Sequence, residues 1–253
     1  DKSIASTLST GSISWLNYAN DIIQLVLGLF ITAIVTVLFP KISQEFNRED
    51  IESVKSTMAK GTKILLSIVL PVTVILMTLS QPIVKLLFER GEFGPTATLF
   101  TSQALIYYAL GLGSMAMVLI LTKVHYAMHD SITPMIAAVI GVISNLVLNI
   151  VLSKYMGVKG LALATSISTT LVTVLLIKDL NNRIKVIDIH RNMKGLLRLV
   201  LSSVIMGIVI LLLYDKIKDF NGLEDIVKVI IPIFAGLMVY IGMVYKSIIN
   251  QGA

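Results

Sequence analysis

Long apolar stretches recur along the chain with only short polar gaps between them, and about 20 such residues suffice to cross a bilayer as a helix. By that measure seven full spans fall at roughly 14–38, 62–80, 98–121, 133–152, 158–177, 196–213 and 226–245. Residues 1–10 read as the end of a further helix that starts before Asp1. The first span, SWLNYANDIIQLVLGLFITAIVTVL, is apolar enough to cross yet carries Asn17, Asn20, Asp21 and Gln24. On a helix these stand at i, i+3, i+4 and i+7 and so share one face. Amides and acids at membrane depth are expensive and turn toward a bundle interior or a wet cavity. The stripe therefore predicts the wall of a pathway. Pro71 inside the second span predicts a kink, and Pro134 suits the first turn of the helix it opens.

Composition agrees with the pattern. The chain is 55% hydrophobic and 14% charged, which excludes an ordinary soluble domain. It has no cysteine, so neither a disulfide framework nor a thiolate metal site is available. The net charge of +6 follows the topology and predicts no nucleic-acid partner. With seven spans the loops alternate between two sides, and one side gathers 13 of the 21 Lys and Arg residues. The positive-inside rule places that side in the cytoplasm. Between the first two spans, KISQEFNREDIESVKSTMAKGTK sets Ile42, Phe46, Ile51, Val54 and Met58 among charges. That pattern predicts an amphipathic helix on the cytoplasmic surface, and the segment around 178–195 is similar but less regular.

Candidate chemistry is sparse. Asn145 and Asn149 lie at i, i+4 beside Ser144, and the next span opens with the small-residue run GLALATSISTT, which includes Leu161 and Thr165. Amide, hydroxyl and backbone oxygens together with a carboxylate such as Asp1 suit a hard monovalent cation. The same residues suit close helix packing, which the spacing alone favours. His125 and His129 form HYAMH, but Tyr126 stands where a zincin needs Glu, so no metal site is read there. Neither a G-x-S-x-G elbow nor a P-loop is present, and the reading is a transporter rather than an enzyme.

Several motifs carry a family resemblance. GSISWLNYANDIIQLVLGLFITAIVTVLFPKIS (11–43), LLFERGEF (86–93), YYALGL (107–112), HYAMHDSITP (125–134) and GVKGLALATSIS (157–168) occur in the order found in the MurJ (MviN) lipid II flippases. The chain resembles the C-terminal half of that family. The resemblance implies an all-α polytopic bundle of the multidrug/oligosaccharidyl-lipid/polysaccharide superfamily, in which two six-helix lobes flank a central cavity and two helices follow. Residues 1–177 would be the C-terminal lobe, from the end of helix 7 to helix 12. Residues 178–253 would hold a cytoplasmic linker and helices 13 and 14, bordering a groove for a lipid tail. The N-terminal lobe would be missing, and a lone lobe is expected to be inactive.

The implied substrate is lipid II, an undecaprenyl diphosphate bearing a disaccharide-pentapeptide, moved by alternating access across the bacterial cytoplasmic membrane without a cofactor. Export of another lipid-linked oligosaccharide, or a non-transporting scaffold, is the alternative. Asn17, Asn20, Asp21 and Gln24 would line the cavity, and Glu89, Arg90 and Gly91 would form an outer turn. A sodium site proposed in the family resembles Asp1, Asn145, Asn149, the Leu161 carbonyl and Thr165, with Na⁺ as a candidate coupling ion. Two departures stand out: Asp21 replaces a cavity Arg that would pair with a diphosphate, and Asn149 replaces an expected acid.

Overall fold

The computed structural model describes Ala5 and residues 11–184, 189–220 and 224–249, with side chains at 5, 11–184, 195–220 and 224–244. Among these residues every regular element is helical. They are α1 (Ser12–Val26), a π-helical turn (Leu27–Ile31), α2 (Thr32–Asn47), α3 (Ile51–Thr78), α4 (Ser80–Phe88), α5 (Pro95–Ala127), α6 (Ile132–Met156), α7 (Val158–Ile184), α8 (Ile189–Ile217) and α9 (Asp225–Ile249). Seven helical stretches, with α1 to α2 taken as one, are long and apolar enough to span a membrane. The predicted end of a helix at 1–10 lies outside the described residues except for Ala5.

The centre of the bundle is the parallel pair α5–α7. A Cβ on Gly111 would lie 2.7 Å from Ser166 Cα, so only glycine lets the two backbones come this close. At that crossing the Ser166 hydroxyl donates to the Tyr107 carbonyl at 2.6 Å, and two turns on Thr173 donates to the Ser114 carbonyl at 3.0 Å. Around this pair α1, α2 and α3 pack on α5, and α6 packs on α7. One apolar cluster runs through them, with Ile23, Leu65, Leu105, Leu121, Leu161 and Leu176 all inaccessible. A second cluster joins α8 and α9 to α3 around Met206, Ile210 and Tyr240. The outward face of α6 is almost wholly aliphatic, Val142 being 69% exposed, as suits a helix bathed in lipid.

The surface helix expected between the first two spans is not there. α2 runs on to Asn47, the chain reverses over three residues, and α3 starts at Ile51 and continues into the membrane. Ile42, Val54 and Met58 are buried, because their face packs between α2 and α3 rather than on a membrane surface. The reversal is built locally: Glu49 takes φ 59°, and the Asp50 carboxylate caps α3 by accepting from Ser53 N at 3.0 Å. Similarly, α7 extends to Ile184, so much of the irregular segment at 178–195 is helix, and residues 185–188 lie outside the described set. The π-helical turn left no trace in the hydropathy pattern. Its extra residue is accommodated by Thr32, whose hydroxyl donates to the Leu27 carbonyl at 3.1 Å.

Pro71 stands within α3, where it removes the N–H that would bond the Ser67 carbonyl. That carbonyl instead accepts from the Tyr240 hydroxyl of α9 at 2.8 Å. In lipid, where water cannot substitute, the bond fixes the register of α9 on α3.

On the Lys/Arg-rich side an ionic chain joins three helix ends. His125 is fully buried, with Nδ1 at 2.8 Å from the Leu121 carbonyl and Nε2 at 3.2 Å from Asp179. Arg183 bridges Asp179 and Asp130, each at 2.8 Å. Asp130 also caps α6 by accepting from the backbone of Ile132 and Thr133 at 3.0 Å. The Thr133 N–H leads the effects that hold its pKa down at about 2, and Arg183 adds to it against the opposing cost of burial.

Tyr240→Phe is expected to cost about 1 kcal/mol, read as a lower melting temperature in detergent; an unchanged melt would show that the Ser67 carbonyl finds another donor. Because the folded pKa of Asp130 lies below its unfolded value, its contribution to stability is complete above about pH 4 and is lost as pH falls toward 2. Asp130→Asn should therefore flatten this part of the melting-temperature profile, and an unaltered acid limb would contradict the cap.

Candidate functional site

The face of α1 opposite its polar stripe is buried through Trp15, Leu16, Ala19, Ile22 and Ile23, and this orients the stripe. Trp15 stacks on Phe100 of α5 with ring centroids 4.6 Å apart and planes within 12°, which locks the helix rotation. The four stripe residues then divide. Asn17 and Asn20 are half-buried and line a cavity of about 140 Å³ shared with Tyr108 of α5 and Thr165 of α7. Asp21 and Gln24 are exposed on the outside of the described bundle. The stripe is thus continuous from an internal pocket to an open polar surface.

Thr165 belongs equally to the second candidate cluster. Its hydroxyl donates to the Leu161 carbonyl at 3.2 Å and lies within hydrogen-bonding reach of the Tyr108 hydroxyl. From α6, Asn145 Nδ2 reaches Thr165 Oγ1 and Ser168 Oγ, both at 3.3 Å, and Asn149 Nδ2 donates to Asn145 Oδ1 at 2.8 Å. Asn145, Asn149, Leu161 and Thr165 therefore do come together, while Asp1 lies outside the described residues. As arranged, Asn149 gives an amide N–H to Asn145 Oδ1, Asn145 gives its own to Thr165 Oγ1 and Ser168 Oγ, and these residues include no carboxylate. These bonds make a hydrogen-bonded seam between α6 and α7.

Glu89, Arg90 and Gly91 form the turn after the short helix α4, with Gly91 at φ 59° in the left-handed region that favours glycine. The Glu89 carboxylate accepts from the Thr98 hydroxyl in the first turn of α5, and Arg90 is exposed. The flanking rings tie this turn to the stripe helix: Tyr18 of α1 lies 4.7 Å from Phe88 and 5.1 Å from Phe93 between centroids. Through these rings the turn packs against the middle of α1. His125 and His129 do not converge, since α5 ends at Ala127 and His129 sits beyond it at φ 58°. Among the described residues no cluster of three or more His, Asp or Glu is placed to hold a metal.

Tyr108 and Ser168 had no periodic signature of their own. Both lie inside quoted motifs, YYALGL and GLALATSIS, and only the α5–α7 crossing shows that these segments meet at Thr165.

This geometry has close counterparts. The family model described as "Lipid II flippase MurJ" matches residues 1–228. A "Probable lipid II flippase MurJ" of Vibrio cholerae is 36% identical over 181 residues, covering 72% of this chain and 34% of that protein. The protein of the same name in Thermotoga maritima is 32% identical over 234 residues, covering 92% of this chain and 46% of its own length. Among solved structures, "Lipid II flippase MurJ, inward closed conformation" superposes with a TM-score of 0.81 at 31% identity, over 98% of this chain and 49% of that one. The chain thus spans half or less of the length of these relatives. With a family match over most of its residues and the same fold, the chain belongs to the MurJ lipid II flippase family.

Proposed function

We propose that the chain is one lobe of a transporter that moves lipid II across the bacterial cytoplasmic membrane, with the Lys/Arg-rich side in the cytoplasm. The observation that carries this is the polar face of α1. Asp21 and Gln24 lie exposed on a bundle whose outer surface is otherwise largely aliphatic. A carboxylate turned to lipid costs several kcal/mol, so this face belongs against water. A second lobe facing it would enclose a wet cavity for the diphosphate and sugars, while the tail stays in hydrocarbon. Residues up to 177 would supply the wall, and α8 and α9 a border for the tail. Flipping makes and breaks no covalent bond and calls for neither a cofactor nor a nucleic acid.

Asp21 supports one competing reading, export of a different undecaprenyl-linked oligosaccharide. A carboxylate repels a diphosphate where the family's Arg would attract it. The two readings separate in cells depleted of their own flippase, given this chain together with whatever precedes and follows it in its gene. Rescue of growth supports lipid II; well-expressed protein without rescue removes it. In binding by native mass spectrometry, Asp21→Asn should tighten lipid II about two- to five-fold by removing an exposed like charge. An unchanged affinity would place Asp21 away from the diphosphate.

We further infer that Asn145, Asn149 and Thr165 join α6 to α7 in this chain and do not couple transport to sodium. Sodium should leave the melting temperature of the wild type where potassium leaves it. Asn149→Asp, which supplies a carboxylate and removes a donor, should gain a sodium-specific rise. A sodium-specific shift in the wild type would overturn this.

A further inference from the structure

Toward its outer end the polar face of α1 acquires an aromatic ring. Tyr18, on the second turn, is 37% exposed. Ser14 one turn outward and Asp21 one turn inward are exposed on the same line of the helix. Ser14, Asp21 and the Tyr18 hydroxyl have no hydrogen-bond partner among the described residues. The turn after α4 brings two more rings to this place. Phe88 and Phe93 lie 5.9 Å apart between centroids, and Tyr18 packs on both, tilted by 45° on Phe88 and edge-on to Phe93. Both Phe rings are half-buried, so they fix the platform while Tyr18 faces out. The same turn exposes Arg90 and Glu92, one charge of each sign, and so favours neither an anion nor a cation. A tyrosine of an interfacial belt faces lipid. Tyr18 instead stands in line with a serine and a carboxylate, on the face that belongs against water.

We propose that this platform, centred on Tyr18, is a subsite for a sugar ring of the lipid-linked head group at the outer mouth of the pathway. The inference rests on α1 as a pathway wall, and it serves lipid II and any other undecaprenyl-linked oligosaccharide alike. A pyranose is amphipathic, with a face of axial C–H groups and a rim of hydroxyls. The negative face of an aromatic ring attracts such C–H groups, each a weak donor. The rim hydroxyls then find acceptors at Ser14 and Asp21, and an Asn at position 21 would supply one as well. A diphosphate has no C–H face to stack, and the tail stays in hydrocarbon, so of the three parts of the lipid only the sugar fits. Phe88 and Phe93 already hold the Tyr18 ring, so little side-chain freedom is lost when a sugar stacks on it.

The test uses the chain together with whatever precedes and follows it in its gene, and two lipids that differ only in their sugars and peptide. Native mass spectrometry compares lipid II with undecaprenyl diphosphate. Tyr18→Leu should weaken lipid II about three- to ten-fold, the worth of one aromatic contact, and leave undecaprenyl diphosphate unchanged. Tyr18→Phe keeps the ring and should restore most of the loss. A second measurement needs no variant: saturation-transfer NMR with free N,N′-diacetylchitobiose, irradiating the aromatic protons of the wild type. Saturation should reach the C–H protons of one sugar face, and should vanish in Tyr18→Leu. Loss of both lipids alike in Tyr18→Leu, or of neither, would overturn the proposal and leave Tyr18 a packing residue. So would a wild type that transfers no saturation to the disaccharide. If the wild type bound neither lipid, the transport reading would fall, yet saturation that depends on Tyr18 would still uphold a sugar site.

Discussion

The approach of α5 to α7 at Gly111 is the constraint on which the rest of the lobe depends. With Ser166 Cα 2.7 Å from where a Cβ would stand, the crossing tolerates no side chain. In lipid there is no hydrophobic gain from bringing two apolar helices together, so close backbone contact and interhelical hydrogen bonds must supply the association. α7 is made for this: Ala162, Ala164, Ser166, Ser168 and Thr173 are all buried, and its hydroxyls donate to carbonyls of α5. Everything functional hangs from this pair. α1 lies on it through Trp15 and Phe100, and the cavity at Asn17 and Asn20 is closed by Tyr108 and Thr165, one residue from each side of the crossing contact made by Tyr107 and Ser166.

The same rule, that polar groups in lipid must find partners within the protein, organises the periphery. Pro71 releases a carbonyl that Tyr240 takes up, and this ties the last two helices to α3. Asn145 gives its amide to hydroxyls of α7, and Asn149 gives its own to Asn145. Against that background the exposed Asp21 and Gln24 are the exceptions. They lie on a helix face that the described lobe leaves polar, and so the physical chemistry of packing and the case for transport meet on α1.

Much of this was legible in the sequence, for a physical reason. Membrane spans are announced by length and apolarity alone, and all seven expected spans have counterparts in the structure. What failed was the distinction between two uses of an amphipathic pattern. Ile42, Val54 and Met58 show the same periodicity whether they face lipid headgroups or a neighbouring helix, and the three-residue reversal at Arg48–Asp50 decided for the helix. Spacing on α1 and α6 found Asn17, Asn20, Asn145 and Asn149, because each set shares one helix. It gave no sign of Tyr108, Ser168 or the pairing of Asp179 with His125, since such contacts cross between helices far apart in the chain. Nor did it separate Asn17 and Asn20, turned inward, from Asp21 and Gln24, turned out, because that depends on the rotation that Trp15 imposes.

The absence of cysteine from this chain makes its central claim directly accessible. Single cysteines at Asp21 and Gln24, and at Val142 on the aliphatic face of α6 as a reference, can be probed in the membrane with a small water-soluble thiol reagent. The test uses the chain together with whatever precedes and follows it in its gene. A polar face that lines a water-filled pathway predicts rapid labelling at 21 and 24 and none at 142. Protection at 21 and 24 equal to that at 142, in folded protein, would place the stripe in a dry interface and contradict the transport reading.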